Sequence, residues 1–297
     1  MPDDRDSWGL VEGDALTDEL SVISRLGGGS AYEAYLAFDD VTYAAVVVKV
    51  VRPAQVTDEV TLRGLRREVA TLDDVNHPAL VRALRAAPDG ERPHVVLEHL
   101  DGPRLSTLVR RHGPLSPNQY LPLGIEVASA LHYLHRRDVL HLDVKPSNII
   151  MGAPAKLIDV SVARSTGHAA GLTYPVGTDS YMAPEQCDPP HSGVPVAASD
   201  VWGLGATLYE AIAGYRAFDD GEANSHDPAR RWPQLVDEPH RLPDAVPPEV
   251  ADLVLATLAP DPRKRPAPAD VADLLAPLLG QLPQGRLTGF KAALSRR

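Results

Sequence analysis

Asp143, Lys145, Asn148 and Asp159 put two carboxylates, an ammonium and an amide into one short stretch of chain. The stretch reads His141-Leu142-Asp143-Val144-Lys145-Pro146-Ser147-Asn148, with Asp159 close behind. Moving a phosphoryl group from a nucleotide to a hydroxyl requires these groups. One carboxylate accepts the hydroxyl proton. A cation sits near the transferring phosphate. An amide and a second carboxylate hold Mg²⁺ on the phosphates. A polar turn between two buried segments is the plain alternative, so the other parts of such a site have to be sought elsewhere in the chain.

Two candidates lie upstream. Gly27-Gly28-Gly29 falls between two segments that read as strands. Glycines let backbone amides approach phosphates closely, although a lone cluster is more often a hairpin turn. Lys49 is a cation inside the apolar run Val46-Val47-Val48-Lys49-Val50-Val51. A charge there is costly unless it is paired, or unless it points to water from an edge strand. Glu68, on a following charged segment, reads by itself as a solvated helix residue.

These groups need elements to position them. Leu20 to Leu26, Ala31 to Phe38 and Thr42 to Val51 read as strands, and Val56 to Val75 as a charged helix. Leu80 to Ala86 and His94 to Leu100 read as two further strands. The result is a small antiparallel sheet with one helix. Beyond Gly102 the pattern turns helical. Leu121, Ile125, Ala128 and Leu131 share one helix face, as do Val201, Leu204, Leu208 and Ile212. Residues 220–248 are rich in Pro, Asp and Arg and read as irregular with a short helix. Glu249 to Leu258 and Asp270 to Leu279 read as amphipathic helices. The expected organisation is a flexible acidic arm (1–17), a domain (18–280) and a tail (281–297). The domain divides into a small lobe (18–97), a connector (98–102) and a helical lobe (103–280). The fold class is α+β, with a cleft between lobes as the natural place for a ligand.

Composition narrows the function. The chain has 297 residues, 44% of them hydrophobic, enough for a large core. A net charge of −11 argues against a nucleic-acid-binding surface. Cys187 is the single cysteine, which suits a reducing cytosol. The N-terminus lacks the basic start and apolar run of a secretory signal. No apolar stretch reaches the roughly 20 residues of a membrane span. The expectation is a cytoplasmic protein without membrane insertion.

Taken together, these motifs resemble those of the eukaryotic-type serine/threonine protein kinases, in a bacterial style, over about residues 18 to 280. The resemblance implies the bilobal protein-kinase fold, with ATP and Mg²⁺, or Mn²⁺, as cofactors. Leu26-Gly27-Gly28-Gly29-Ser30-Ala31-Tyr32-Glu33-Ala34-Tyr35 is similar to the phosphate-covering loop, with Gly27 and Gly29 as its first two glycines. Lys49 then corresponds to the lysine that contacts the α- and β-phosphates, and Glu68 to its ion-pair partner. Backbone groups of Glu98 and Leu100 are implied to hold adenine. Leu97 would stand at the back of the pocket, Ala34 and Val47 in its roof and Ile150 in its floor. Asp143 is implied to accept the substrate proton and Lys145 to steady the phosphoryl group, with Asn148 and Asp159 holding the metal. Thr178, in Gly177-Thr178-Asp179-Ser180-Tyr181-Met182-Ala183-Pro184-Glu185, would bond near Asp143 and Lys145. Asp200 would cap a helix and hold the catalytic loop. Glu185 and Arg265 would form a buried ion pair.

The sequence also departs from the family pattern. Tyr32 stands where a third glycine is usual, and would lie over the nucleotide or shield the cleft. Ala34 stands where valine is usual and Val47 where alanine is usual, a swap that would conserve pocket volume. Leu142 replaces the arginine that docks a phosphorylated activation segment, so activity is expected to depend little on such phosphorylation. Asp159-Val160-Ser161 replaces Asp-Phe-Gly. Val160 would pack less against Leu72 and His141, and Ser161 would restrict a site where glycine permits positive φ.

Lys49, Glu68, Asp143, Lys145, Asn148 and Asp159 favour an active kinase that phosphorylates serine or threonine on proteins. Tyr32, Leu142, Val160 and Ser161 weigh against efficient transfer. The alternative reading is a pseudokinase, a nucleotide-binding or scaffold module. The complete segment from Gly177 to Glu185 argues against a small-molecule kinase of related fold. A homodimer or a regulatory partner is compatible with the sequence.

Overall fold

Six antiparallel strands build the first lobe of the computed structural model, which describes residues 6–283. They are β1 (Ala15–Thr17), β2 (Leu20–Gly28), β3 (Tyr32–Asp39), β4 (Ala44–Val51), β5 (Ala83–Ala87) and β6 (His94–Glu98). Their order in the sheet is β1-β2-β3-β4-β6-β5. Side chains alternate between the two faces of a strand. Glu33, Tyr35, Ala37 and Asp39 of β3 are therefore buried on the outer face, while Tyr32 and Ala34 reach the cleft face. In β4, Val46, Val48 and Val50 go outward, leaving Val47 and Lys49 for the cleft. Register places Ala34 opposite Lys49.

Residues 6–17, expected as a loose arm, are packed onto that outer face. Trp8 and Leu10 lie against an apolar cluster that includes Leu16, Leu20, Val22 and Tyr35. The Trp8 indole N–H donates to the Val51 carbonyl at 2.8 Å. The Ser7 hydroxyl and the Trp8 amide donate to the buried Glu33 carboxylate at 2.6 and 3.0 Å. An apolar sheet face with a buried acid needs both cover and donors, and this segment brings both.

The single long helix of the lobe, α1 (Glu59–Asp74), starts at Asp58, whose side chain accepts from the Thr61 amide. It buries Leu62, Leu65, Glu68 and Leu72. At the connector, Gly102 has φ +135°, and a Cβ there would lie 2.1 Å from the Met151 carbonyl oxygen. Only glycine lets the chain pass so close.

The second lobe is helical apart from the pair β7 (Ile149–Ile150) and β8 (Lys156–Leu157). The helices are α2 (Leu105–His112), α3 (Pro117–Arg136), the short α4 (Thr166–Ala169), α5 (Pro184–Cys187) and α6 (Pro189–Ser192), then α7 (Ala197–Ala213), the short α8 (Pro228–Arg231), α9 (Pro248–Thr257) and α10 (Pro268–Gln281). The two expected helix faces meet in one core. Leu121, Leu131 and Leu134 of α3 pack with Trp202, Leu204 and Leu208 of α7 and with Leu275 of α10. The helix expected at 270–279 extends to Gln281. The arginine-ended tail, Ser295-Arg296-Arg297, lies outside the described residues. No helix among the described residues is long and apolar enough to cross a membrane.

Candidate active site

A cleft of about 680 Å³ opens between the lobes. That volume falls in the range of small-molecule and cofactor sites. Ala34, Val47, Leu97, Ile150 and Ile158 give it apolar walls, and Lys49, Asn148 and Asp159 give it a polar end. Gly27, Gly29, Glu68, Glu98 and Leu100 also line it. The Glu98 carboxylate is engaged by Lys156 at 2.5 Å and by the Arg82 amide at 3.0 Å, away from ligand duty. Asp143 and Lys145 stand beside the cleft, joined to it through Asn148.

Lys49 does not point to water. Its Nζ donates to both Glu68 carboxylate oxygens at 2.8 Å and to Asp159 Oδ1 at 3.0 Å. Burial works against the lysine charge, but the carboxylates of Glu68 and Asp159 overcome it and raise its pKa. Burial likewise opposes the Asp159 carboxylate, and Lys49 outweighs it, holding the group well below the usual range. The two lobes are thus tied across the cleft by one cation.

The second cluster surrounds Asp143. Lys145 Nζ donates to Asp143 Oδ2 at 2.7 Å and to Thr178 Oγ1 at 2.6 Å. The Thr178 hydroxyl in turn donates to Asp143 Oδ1 at 2.7 Å. The Asn148 amide donates to the Asp143 carbonyl at 3.0 Å and to Oδ2 at 2.9 Å. A carboxylate so tethered has a fixed orientation, and Asn148 keeps its own carbonyl oxygen as an acceptor.

Buried Asp200 holds the backbone that carries this cluster. Its carboxylate accepts from the His141 and Leu142 amides at 2.9 and 2.7 Å and contacts His135 Nε2 at 2.8 Å. Burial alone would raise its pKa, but the His135 contact and the surrounding donors lower it. Asp200 was also expected to cap its helix. Val196 occupies the N-cap of α7, and Asp200 lies inside the first turn. Leu142 has φ +63°, an uncommon conformation for leucine that the Asp200 bond holds in place.

The departures from the family pattern are accommodated locally. Leu142 is buried with Leu140, Ala169, Leu172 and Val176 in an apolar cluster that ties down the segment after Asp159. Gln186 Nε2 donates to the Leu142 and Val176 carbonyls at 2.9 and 2.8 Å. Gly177 has φ +126°, and a Cβ there would lie 2.8 Å from the Leu142 carbonyl oxygen. Val160, expected to pack less against Leu72 and His141 than phenylalanine would, is 3% exposed within a cluster containing Leu65, Leu72 and Val81. Positive φ falls on Asp159, at +66°, and not on Ser161, so the serine meets no restriction there. The expected Glu185–Arg265 pair is formed and buried, with contacts of 2.6 and 3.0 Å.

Two contributors escaped the sequence reading. Gln186 gave no signal beyond being polar. Arg52 follows β4, is buried, and donates through Nε to the Gly29 carbonyl at 2.7 Å and through Nη1 to the Asp6 carbonyl. It links the N-terminal segment to the glycine loop. A buried arginine after an apolar strand carries no local pattern that distinguishes it from a surface one.

The sequence matches the protein kinase domain over residues 20–275. The chain belongs to the protein kinase family. Among curated proteins it is similar to the serine/threonine-protein kinase PknB of Mycolicibacterium smegmatis, at 34% identity over 90% of this chain and 44% of that protein. A probable serine/threonine-protein kinase of Streptomyces coelicolor is 32% identical over 86% of this chain and 39% of its own length. PrkC of Bacillus subtilis, also a serine/threonine-protein kinase, is 26% identical over 86% of this chain and 40% of its own length. The chain therefore spans less than half the length of these relatives.

Proposed function

We propose that this kinase domain is an active, ATP-dependent serine/threonine protein kinase that modifies proteins in the cytoplasm. The observation that carries the reading is the pairing of two networks at one cleft. Lys49, Glu68 and Asp159 form one, and Asp143, Lys145, Thr178 and Asn148 form the other.

The cleft suits the cofactors. Its apolar part fits a purine between Ala34 and Val47 above and Ile150 below, with backbone groups of Glu98 and Leu100 along one edge. Its polar end offers Lys49 to phosphate oxygens, under the amides of Gly27 to Gly29. Asn148 and Asp159 offer two oxygen donors, a number Mg²⁺ commonly takes from protein when phosphates and water complete its shell. Mn²⁺ accepts the same donors. When bound, ATP supplies the phosphoryl group and Mg²⁺ offsets the charge on its phosphates.

The chain's own residues do the rest. Asp143 accepts the proton of a serine or threonine hydroxyl and orients its oxygen. Thr178 and Asn148 fix the carboxylate so that little reorganisation is needed. Lys145, anchored between Asp143 and Thr178, presents positive charge to the group in transfer. Asp200 holds the loop geometry. A pseudokinase finds no support in these contacts, since the Lys49 ion pair and the tethered Asp143 are both intact.

The test is transfer of labelled phosphate from ATP with Mg²⁺ to the protein itself and to a generic basic protein. The natural chain should label both, and Asp143→Asn neither. Equal labelling by the variant would remove Asp143 from its role. No labelling by either would return the chain to nucleotide binding without transfer.

A further inference from the structure

Tyr32 occupies the place of the loop's third glycine, yet it neither projects into solvent nor merely fills space. Its hydroxyl donates to the Thr61 carbonyl of α1 at 3.0 Å. Lys49 Nζ stands 4.8 Å from the centre of its ring, within the range of a cation–π contact. The facing position on α1 is Gly64, where a Cβ would come 3.2 Å from the Tyr32 hydroxyl. Glycine in a helix interior is poorly favoured, and here its missing side chain leaves room for the phenol. One aromatic side chain thus touches the roof strand, the catalytic-site lysine and the helix that carries Glu68.

We propose that Tyr32 is a latch that ties β3 to α1 and so keeps Glu68 within reach of Lys49. It is a positioning residue, acting through the Lys49–Glu68 pair. Its consequence for regulation rests on the kinase reading above. In such a site the helix would be held inward by a built-in contact, with no added phosphate needed. Leu142, in place of a phosphate-docking arginine, fits the same scheme, because the activation segment is also fixed by packing. The two devices act on different sides of Asp159, one on the helix and one on the segment.

The test is amide hydrogen exchange over residues 59–74 in the full chain, with titration of Mg·ADP alongside. Losing one net hydrogen bond in Tyr32→Phe should speed exchange in α1 about fivefold, with the melting temperature moved by no more than ~2 °C. Tyr32→Gly should speed it further. Gly64→Leu gives an independent arm from the helix side. Leucine is the better helix former, so propensity alone would slow exchange, whereas a displaced Tyr32 would speed it. Faster exchange confined to α1 in Tyr32→Phe and Gly64→Leu, with weaker ADP binding, establishes the latch. Unchanged exchange in all three variants overturns it, and so does loosening spread evenly over the small lobe. Neither readout needs phosphoryl transfer. A chain that transfers phosphate with exchange unmoved by the variants keeps the kinase reading and loses the latch. A chain without transfer whose α1 still loosens keeps the latch and loses the kinase reading.

Discussion

At the scale of single residues, the site is held together by charges paired where water is scarce. Lys49 meets two carboxylates, and its charge survives burial only through them. Asp143 is held by three side-chain donors, which makes its orientation a property of the fold. The roof of the cleft shows the complementary rule for volume. Ala34 and Val47 line it from neighbouring strands, where the resemblance implies valine and alanine in turn. Ala34→Val would add two methyl groups to a cleft roof that Val47 also lines. Overpacking of that kind costs about 1–3 kcal/mol. Affinity for Mg·ADP, measured by calorimetry, should fall about tenfold, and Val47→Ala in the same chain should restore it. Unchanged affinity in Ala34→Val would end the idea of a compensating swap.

At the scale of elements, the first part of the activation segment is secured by packing at Leu142. Leu142, Leu140, Leu172 and Val176 are buried together, and Gln186 binds carbonyls on both sides of the cluster. Ser165, Thr166 and Thr173 take no part in that apolar cluster. Alanine at Ser165, Thr166 and Thr173 together should leave the rate of phosphate transfer within about twofold of the natural chain. The loss of the Ser165 cap on α4 should cost only about 1 kcal/mol locally. A large drop in rate would show that phosphorylation of this segment does the holding. The N-terminal segment is the second element whose part lies in its contacts. Through Trp8, Ser7 and the Asp6 carbonyl it reaches Glu33, Val51 and Arg52, and Arg52 reaches the glycine loop.

At the scale of the whole molecule, two inter-element locks keep the site assembled. Asp200 joins α7 to the catalytic loop. The Glu185–Arg265 pair joins the end of the activation segment to the turn before α10. Arg265 also donates to the Ala198, Ala259 and Pro260 carbonyls, and Ser199 donates to Glu185 at 2.7 Å. Removing one partner leaves a buried charge with its donors or acceptors unmet. Arg265→Met should therefore lower unfolding stability in urea by about 3–5 kcal/mol. A loss below about 1 kcal/mol would mean that the pair is solvated in solution.

The sequence by itself determined the bilobal order, most strands and long helices, and which charged groups pair at the cleft. Strand and helix periods are local, and the motif residues stand at spacings that survive any packing detail. The tertiary structure alone decided what the departures mean. Residues 6–17 looked loose because their composition is polar, but the outer sheet face they cover is built from strands later in the chain. Val160 is smaller than the phenylalanine usual there, and its place in a buried cluster with residues of α1 and neighbouring strands is set by docking. The backbone strain assigned to Ser161 belongs to Asp159, because φ depends on how the chain enters the cleft. Tyr32 could be placed in the loop from sequence, but its partner is a carbonyl 29 positions away. Contacts of that separation are set by how elements dock, and docking is written in shape and burial summed over the whole chain.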